Sequence, residues 1–178
     1  MSSRLLLIAT LALSASMSAR AHCPIEGDPG WEVDQYSVAK EYARSRYVVR
    51  VRSFSETWLG EDGKPAWATP PYLAGGSSPL GLDPYLGAIY ELDVVKVFKG
   101  SPPKRLRLFS SNTTARTPLP VGGEYLLFIQ EYRDGVNEAG LSTFVDNCGN
   151  STEMPFAGPA LREVMKLVGR VGVEPTTY

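Results

Sequence analysis

The chain has 178 residues, 43% hydrophobic and 21% charged, with a formal net charge of −1. That is enough chain for one well-cored domain and too little for two of ordinary size. So balanced a charge argues against a nucleic acid or an anionic membrane surface as partner, since those demand a basic face. With 17 glycines and 14 prolines, the composition favours a turn-rich β protein over a helical bundle.

Residues 1–21 read as a signal peptide. Arg4 supplies the positive start, Leu5 to Leu13 a short apolar core, and Ala19-Arg20-Ala21 an A-x-A cleavage site. The apolar run is too short for a stable transmembrane anchor, and no later stretch is apolar and long enough to cross. Cleavage after Ala21 removes Arg4 and Arg20 and no acid, leaving a slightly more acidic mature chain. It begins His22-Cys23, with His22 where a lipoprotein would carry a small residue, so lipid attachment at Cys23 is not expected. The predicted location is therefore secreted or periplasmic. In an oxidising compartment, Cys23 and Cys148 read as one disulfide tying the mature N-terminus to the last strand. The alternative is two free thiols used for redox or metal work.

Pro24 to Gly30 is turn-like. Asp34 is placed to cap a short helix over Gln35 to Arg44 with Val38 and Tyr42 on its buried side. Tyr47 to Ser55 alternates as a strand, with Tyr47, Val49 and Val51 on one face and Arg50 and Arg52 marking the wet one. Trp58 to Pro84 keeps neither a helix nor a strand period and reads as a long loop. Gly87 to Gly100 is the strand on which the domain is organised. Tyr90, Leu92 and Val94 alternate with Glu91 and Asp93, and the apolar set slips by one residue at Val94-Val95, predicting a β-bulge. Lys104 to Ser110 alternates Leu106 and Leu108 against Arg105 and Arg107. Phe109 falls on the arginine side, where it would cover a sheet edge. Ser111 to Gly123 is a polar loop. Glu124 to Gln130 is almost wholly apolar and so predicts a central strand, and Leu141 to Val145 the last one. Ala157 to Val168 predicts a helix with Leu161, Val164, Met165, Leu167 and Val168 on its apolar side, capped by Gly169. Residues 170–178 read as a flexible tail. Together these predict a mostly β domain, residues 22–169, built as a five-stranded OB-like barrel with a short N-terminal helix and a C-terminal helix.

Catalytic chemistry is scarce. His22 is the one histidine, so any Ser-His-Asp or Cys-His set would have to draw on an end segment. No spacing of His, Cys and acidic residues suits zinc, so no metal or other cofactor is expected. His22 with Cys23 is a candidate N-terminal metal contact, against the plainer reading of an ordinary terminus. Glu61 and Asp62 could do acid–base work only at a defined separation across a cleft; otherwise they are solvated loop residues. Gly75-Gly76-Ser77-Ser78 lacks the lysine and the strand-to-helix setting of a phosphate loop. Asn112-Thr-Thr114 and Asn150-Ser-Thr152 fit the glycosylation sequon, or are polar turns. Trp58, Trp67, Tyr72 and Tyr85 form the candidate binding surface, able to stack on a carbohydrate or to anchor a partner protein. The competing reading folds them back as a lid over the barrel end.

Leu92-Asp-Val-Val-Lys-Val-Phe-Lys-Gly100 resembles the second-strand signature of bacterial netrin-like domains related to tissue inhibitors of metalloproteinases. Cys23 at the mature start, Gly122-Gly-Glu-Tyr-Leu-Leu-Phe128 and Cys148-Gly-Asn-Ser151 before the last helix match in the same order, over most of residues 23–168. The resemblance implies an OB-like barrel with Cys23 tied to its end. It also implies a protease-inhibitor alternative, in which the amine and carbonyl of an N-terminal cysteine chelate a catalytic zinc; here the predicted terminus is His22, one residue early. The resulting expectation is an exported, non-catalytic protein-binding or carbohydrate-binding module. A metalloprotease inhibitor is the first alternative, and a small hydrolase using loop carboxylates the second.

Overall fold

In a computed structural model of the chain, the described residues are 37–67, 85–112, 117–132, 135–146, 148–171 and 176–178. The expected signal peptide, His22, Cys23 and Asp34 therefore lie outside the described residues, as does Tyr72. Two long strands carry the fold, β1 (Tyr47–Gly60) and β3 (Tyr85–Lys99), paired antiparallel over nearly their whole length. β4 (Arg105–Ser111) lies outside β3. On the other side, β5 (Glu124–Glu131) pairs with β1, and β6 (Thr143–Val145) with β5. The sheet order is β4-β3-β1-β5-β6. Three short strands join it: β2 (Pro65–Trp67) on β1, β7 (Thr152–Glu153) on β5 and β8 (Thr176–Thr177) on β3. The expected five principal strands are present. Closure of the expected OB-like barrel is not shown: among the described residues the sheet is an open one of eight strands, with no ladder between β4 and β6. β6 has only three residues, all engaged with β5.

The bulge predicted from the phase slip is there. Val94 pairs with Val51 and Lys96 with Arg50, leaving Val95 out of register. Before it Tyr90, Leu92 and Val94 face the inner core; after it Val97 does, and Phe98 turns to the opposite face. A bulge adds twist and bends the strand, which curls the sheet. Gly100 ends β3 at φ 79°, a left-handed conformation natural to glycine.

The inner core gathers the concave face of the sheet, including Val49, Val51, Leu92, Leu106, Leu127 and Ile129. A second core covers the opposite face. There Val48, Phe98, Leu126 and Phe128 meet Ala157, Ala160, Val164 and Val168 of helix α2 (Gly158–Val171) and its approach. Helix α1 (Val38–Arg44) adds Val38 and Tyr42 to that layer, and the Tyr42 hydroxyl donates to the Phe98 carbonyl at 3.0 Å. This double covering explains why β5 is apolar on both faces. Phe109 is buried with Leu59 and Ile89 in a third, smaller cluster, against Ala139 and Leu141.

The helix ends differ from expectation. Ser37 caps α1, its hydroxyl accepting from the Lys40 N–H at 3.2 Å, so a serine oxygen directly before the first turn satisfies one of its free amides. α2 runs through Gly169 to Val171, because the packed stripe of Ala160, Val164 and Val168 outweighs one glycine's low propensity. Met165, expected on the apolar side, is 42% exposed. The end of the expected flexible tail forms β8.

Where no helix covers the sheet, its outer face is charged. Register sets Arg105, Asp93, Arg52 and Glu124 in one row across β4, β3, β1 and β5. Arg105 reaches Asp93 at 3.3 Å and Arg52 reaches Glu124 at 2.5 Å, while Arg50 also pairs with Glu124. Hydrogen bonds from Arg50, then Arg52, hold the Glu124 carboxyl below its ordinary value. Exposed pairs of this kind contribute at most about 1 kcal/mol each. Their larger role is in register, since a one-residue slip would carry these charged side chains to the core face.

Candidate binding cleft

The end of β4 and Phe144 and Val145 of β6 face each other across a cavity of about 470 Å³. Its apolar floor comes from the inner core through Tyr90, Leu108 and Leu119, all buried. The β4 wall is Ser110 and Ser111, and the facing wall is Phe144, Val145 and Asp146. Tyr132 and Glu138 stand at the rim. The Ser110 hydroxyl accepts from the Thr117 N–H at 3.1 Å and so fixes one lip. Tyr132 stacks on Phe144 with centroids 4.5 Å apart, yet remains 40% exposed. Burial, and then the Glu138 carboxylate, push its phenol above its ordinary value, so it is a neutral donor at physiological pH. An adjoining hollow of about 550 Å³ shares Thr117 and Leu119 and is walled by Pro120, Tyr125 and Glu153. The Gly122-Gly123 turn bounding it is tied to β1: the Gly122 N–H donates to the Ser53 carbonyl at 2.7 Å, and the Ser53 N–H to the Gly123 carbonyl at 3.0 Å. The cleft thus joins an apolar floor to a few hydroxyls and carboxylates at its rim, the general make-up of a pocket.

Two of the four aromatics expected on a binding surface, Trp58 and Tyr85, are turned into the core. Trp58 and Tyr85 are core residues, 5% and 4% exposed, packed edge to face with centroids 4.8 Å apart. β1 continues as a strand to Gly60, and a bulge at Phe54, between the Ser53–Leu92 and Ser55–Glu91 pairs, shifts the phase and turns Trp58 inward. The start of the expected long loop is a hairpin in which Trp67 of β2 pairs with Trp58. Residues 68–84, with Tyr72 and the Gly75–Ser78 stretch, lie outside the described residues. Glu61 and Asp62 occupy the exposed hairpin turn, where Asp62 accepts from the Lys64 N–H at 3.0 Å. That is ordinary turn chemistry. Both sequon asparagines have engaged amides: Asn112 Nδ2 donates to the Tyr85 carbonyl at 3.1 Å, and Asn150 Nδ2 to Glu41 at 2.7 Å.

The Cys148–Ser151 segment closes the cleft end of β6 around a residue that sequence reasoning missed. Glu41 of α1 is 1% exposed. Its Oε2 accepts from the Asn150 N–H at 2.6 Å as well as from the side-chain amide, while Oε1 is buried with no hydrogen-bond partner. Gly149 lies so close to this carboxylate that a Cβ there would collide with Oε1. Ser151 then accepts from the Phe128 N–H at 2.9 Å. The signal was available: Val38, Glu41 and Tyr42 stand at i, i+3 and i+4, which puts the acid on the apolar stripe. Cys148, half-buried beside Gly149, lines the cleft; its expected partner Cys23 lies outside the described residues.

Among the described residues no group of three or more His, Cys, Asp and Glu could hold a metal ion, and no helix is long and apolar enough to cross a membrane. The sequence matches no protein-family model and no curated protein. What the geometry defines is an antiparallel β protein with two helices and a cleft between its sheet edges.

Proposed function

We propose that this chain is an exported, non-catalytic binding module of netrin-like, OB-type architecture, and that its ligand, a protein or a carbohydrate, seats in the cleft between β4 and β6. The observation that carries this reading is the cleft itself: an apolar floor left open because the two sheet edges approach without pairing. The order β4-β3-β1-β5-β6, with its ends facing, suits an OB-type barrel, which is partly open by nature and binds through its exposed strands and loops. Three of the resemblance motifs lie on β3, at the start of β5 and between β6 and α2. The leader at residues 1–21 supports export. No described cysteine is a free thiol, in keeping with a Cys23–Cys148 disulfide.

Replacing Tyr132 by Ala removes the aromatic rim while leaving the floor intact. It is expected to weaken capture of the partner from extracellular or envelope extract, or of a glycan on an array, by about tenfold, the usual scale for an aromatic anchor. Unchanged capture would remove the cleft from the account. N-terminal sequencing that begins at Cys23, together with inhibition of a zinc protease, would favour the inhibitor alternative instead.

A further inference from the structure

The Val95 bulge and the Gly100 turn leave part of β3 without a long neighbour. β4 pairs with β3 only over Gly87 to Asp93, and the Lys104 carbonyl takes the Val94 N–H at 2.9 Å. Beyond that point β3 is a sheet edge, and such an edge is a template for another strand. The chain's own tail occupies it. Thr176 pairs with Val97 and Thr177 with Lys96, and the Tyr178 N–H donates to the Val95 carbonyl at 3.3 Å. The Tyr178 ring lies beneath Lys104, Nζ 5.7 Å from its centroid, and its hydroxyl reaches the Pro102 carbonyl at 3.5 Å. Main-chain pairing with a pocket for one side chain is the usual grammar of strand addition. The hold is slight, because Thr176, Thr177 and Tyr178 are all exposed.

We propose that the Val95–Val97 edge is a strand-acceptor site for an extended peptide carrying two β-branched residues followed by an aromatic one, and that residues 176–178 cap it as a displaceable, self-supplied strand. The site stands apart from the cleft and does not depend on it. Lys104 reads the aromatic residue through a cation–π contact, and the β3 main chain supplies the affinity.

The test uses the full mature chain and a fluorescein-labelled peptide with the sequence of residues 172–178. Thr176→Pro with Tyr178→Ala deletes a ladder donor and the ring, releasing the cap without touching the core. The released protein is expected to bind the peptide about tenfold more tightly than wild type, since a cap that occupies the site lowers apparent affinity by the free fraction. Adding Lys104→Ala to the released protein should weaken that binding several-fold, and a scrambled peptide should not bind. Amide exchange over Val95 to Val97 should quicken on release and slow again with peptide. Equal peptide affinity of the wild-type and released proteins, or exchange unaffected by release, would overturn the proposal.

Discussion

Glu41→Ala is expected to lower the stability of the domain by about 3 kcal/mol in chemical denaturation, because two donors on Asn150 lose this buried acceptor. The carboxylate joins α1 to the Cys148–Ser151 segment across 109 positions of sequence, so its removal loosens both the N-terminal layer and the end of the cleft. Burial, aided by the nearby Asp146, pushes the Glu41 carboxyl above its ordinary value of 4.5, against the pull of the Asn150 hydrogen bonds. The folded state therefore holds this proton more tightly than the unfolded chain does. The stability so contributed is fully present below pH 4.5 and is lost as pH rises through the folded value. Glu41→Gln, neutral throughout, should gain on wild type as pH rises over that interval when urea midpoints are compared. A difference independent of pH would contradict a buried titrating carboxyl.

Gly87→Ala is the second large effect, expected at about 2–3 kcal/mol, the upper range for overpacking. A Cβ at this position meets the Ser110 carbonyl oxygen and the Phe109 ring, whose two nearest atoms lie at 2.6 and 2.7 Å. The ring can move, but the carbonyl belongs to β4, which pairs with β3 at this point. The double variant Gly87→Ala/Phe109→Ala should therefore recover only part of the coupling in a thermal-denaturation cycle. Full recovery would place the whole clash on the ring. Because Ser110 and Ser111 wall the cleft, a parted ladder would also alter its β4 side.

Much of this architecture is legible in the residues because it depends on period. The slip at Val94-Val95 states the bulge outright, and the unbroken apolar run of β5 states that both its faces are covered. The bulge at Phe54 is hidden, since Ser53, Phe54 and Ser55 carry no clear alternation to break. That is why Trp58, two positions before a glycine, looks like a loop aromatic when its phase has been turned into the core. The open edge between β4 and β6 is not legible either. Closure depends on how far a strand as short as Thr143–Val145 extends its ladder, and that is settled by the turn after it. Glu41 is missed for a different reason: a carboxylate on a helix is usually solvated, and although its place on the apolar stripe was legible, the two hydrogen bonds it accepts from Asn150 are long-range contacts. The candidate site followed the same rule. Its floor residues are recognisable as core, while its existence depends on tertiary closure.

The central claim, that binding lies in the cleft rather than at the aromatics from β2 onward, is met most directly by one parallel measurement. Partner capture or glycan binding is compared for the mature chain, for Ser111→Trp, which fills the 470 Å³ cavity from the β4 wall, and for Trp67→Ala/Tyr72→Ala, with thermal melts confirming that each is folded. The account predicts loss of binding for Ser111→Trp and retention for the aromatic double variant. Retention with the cavity filled and loss with the aromatics removed would contradict it.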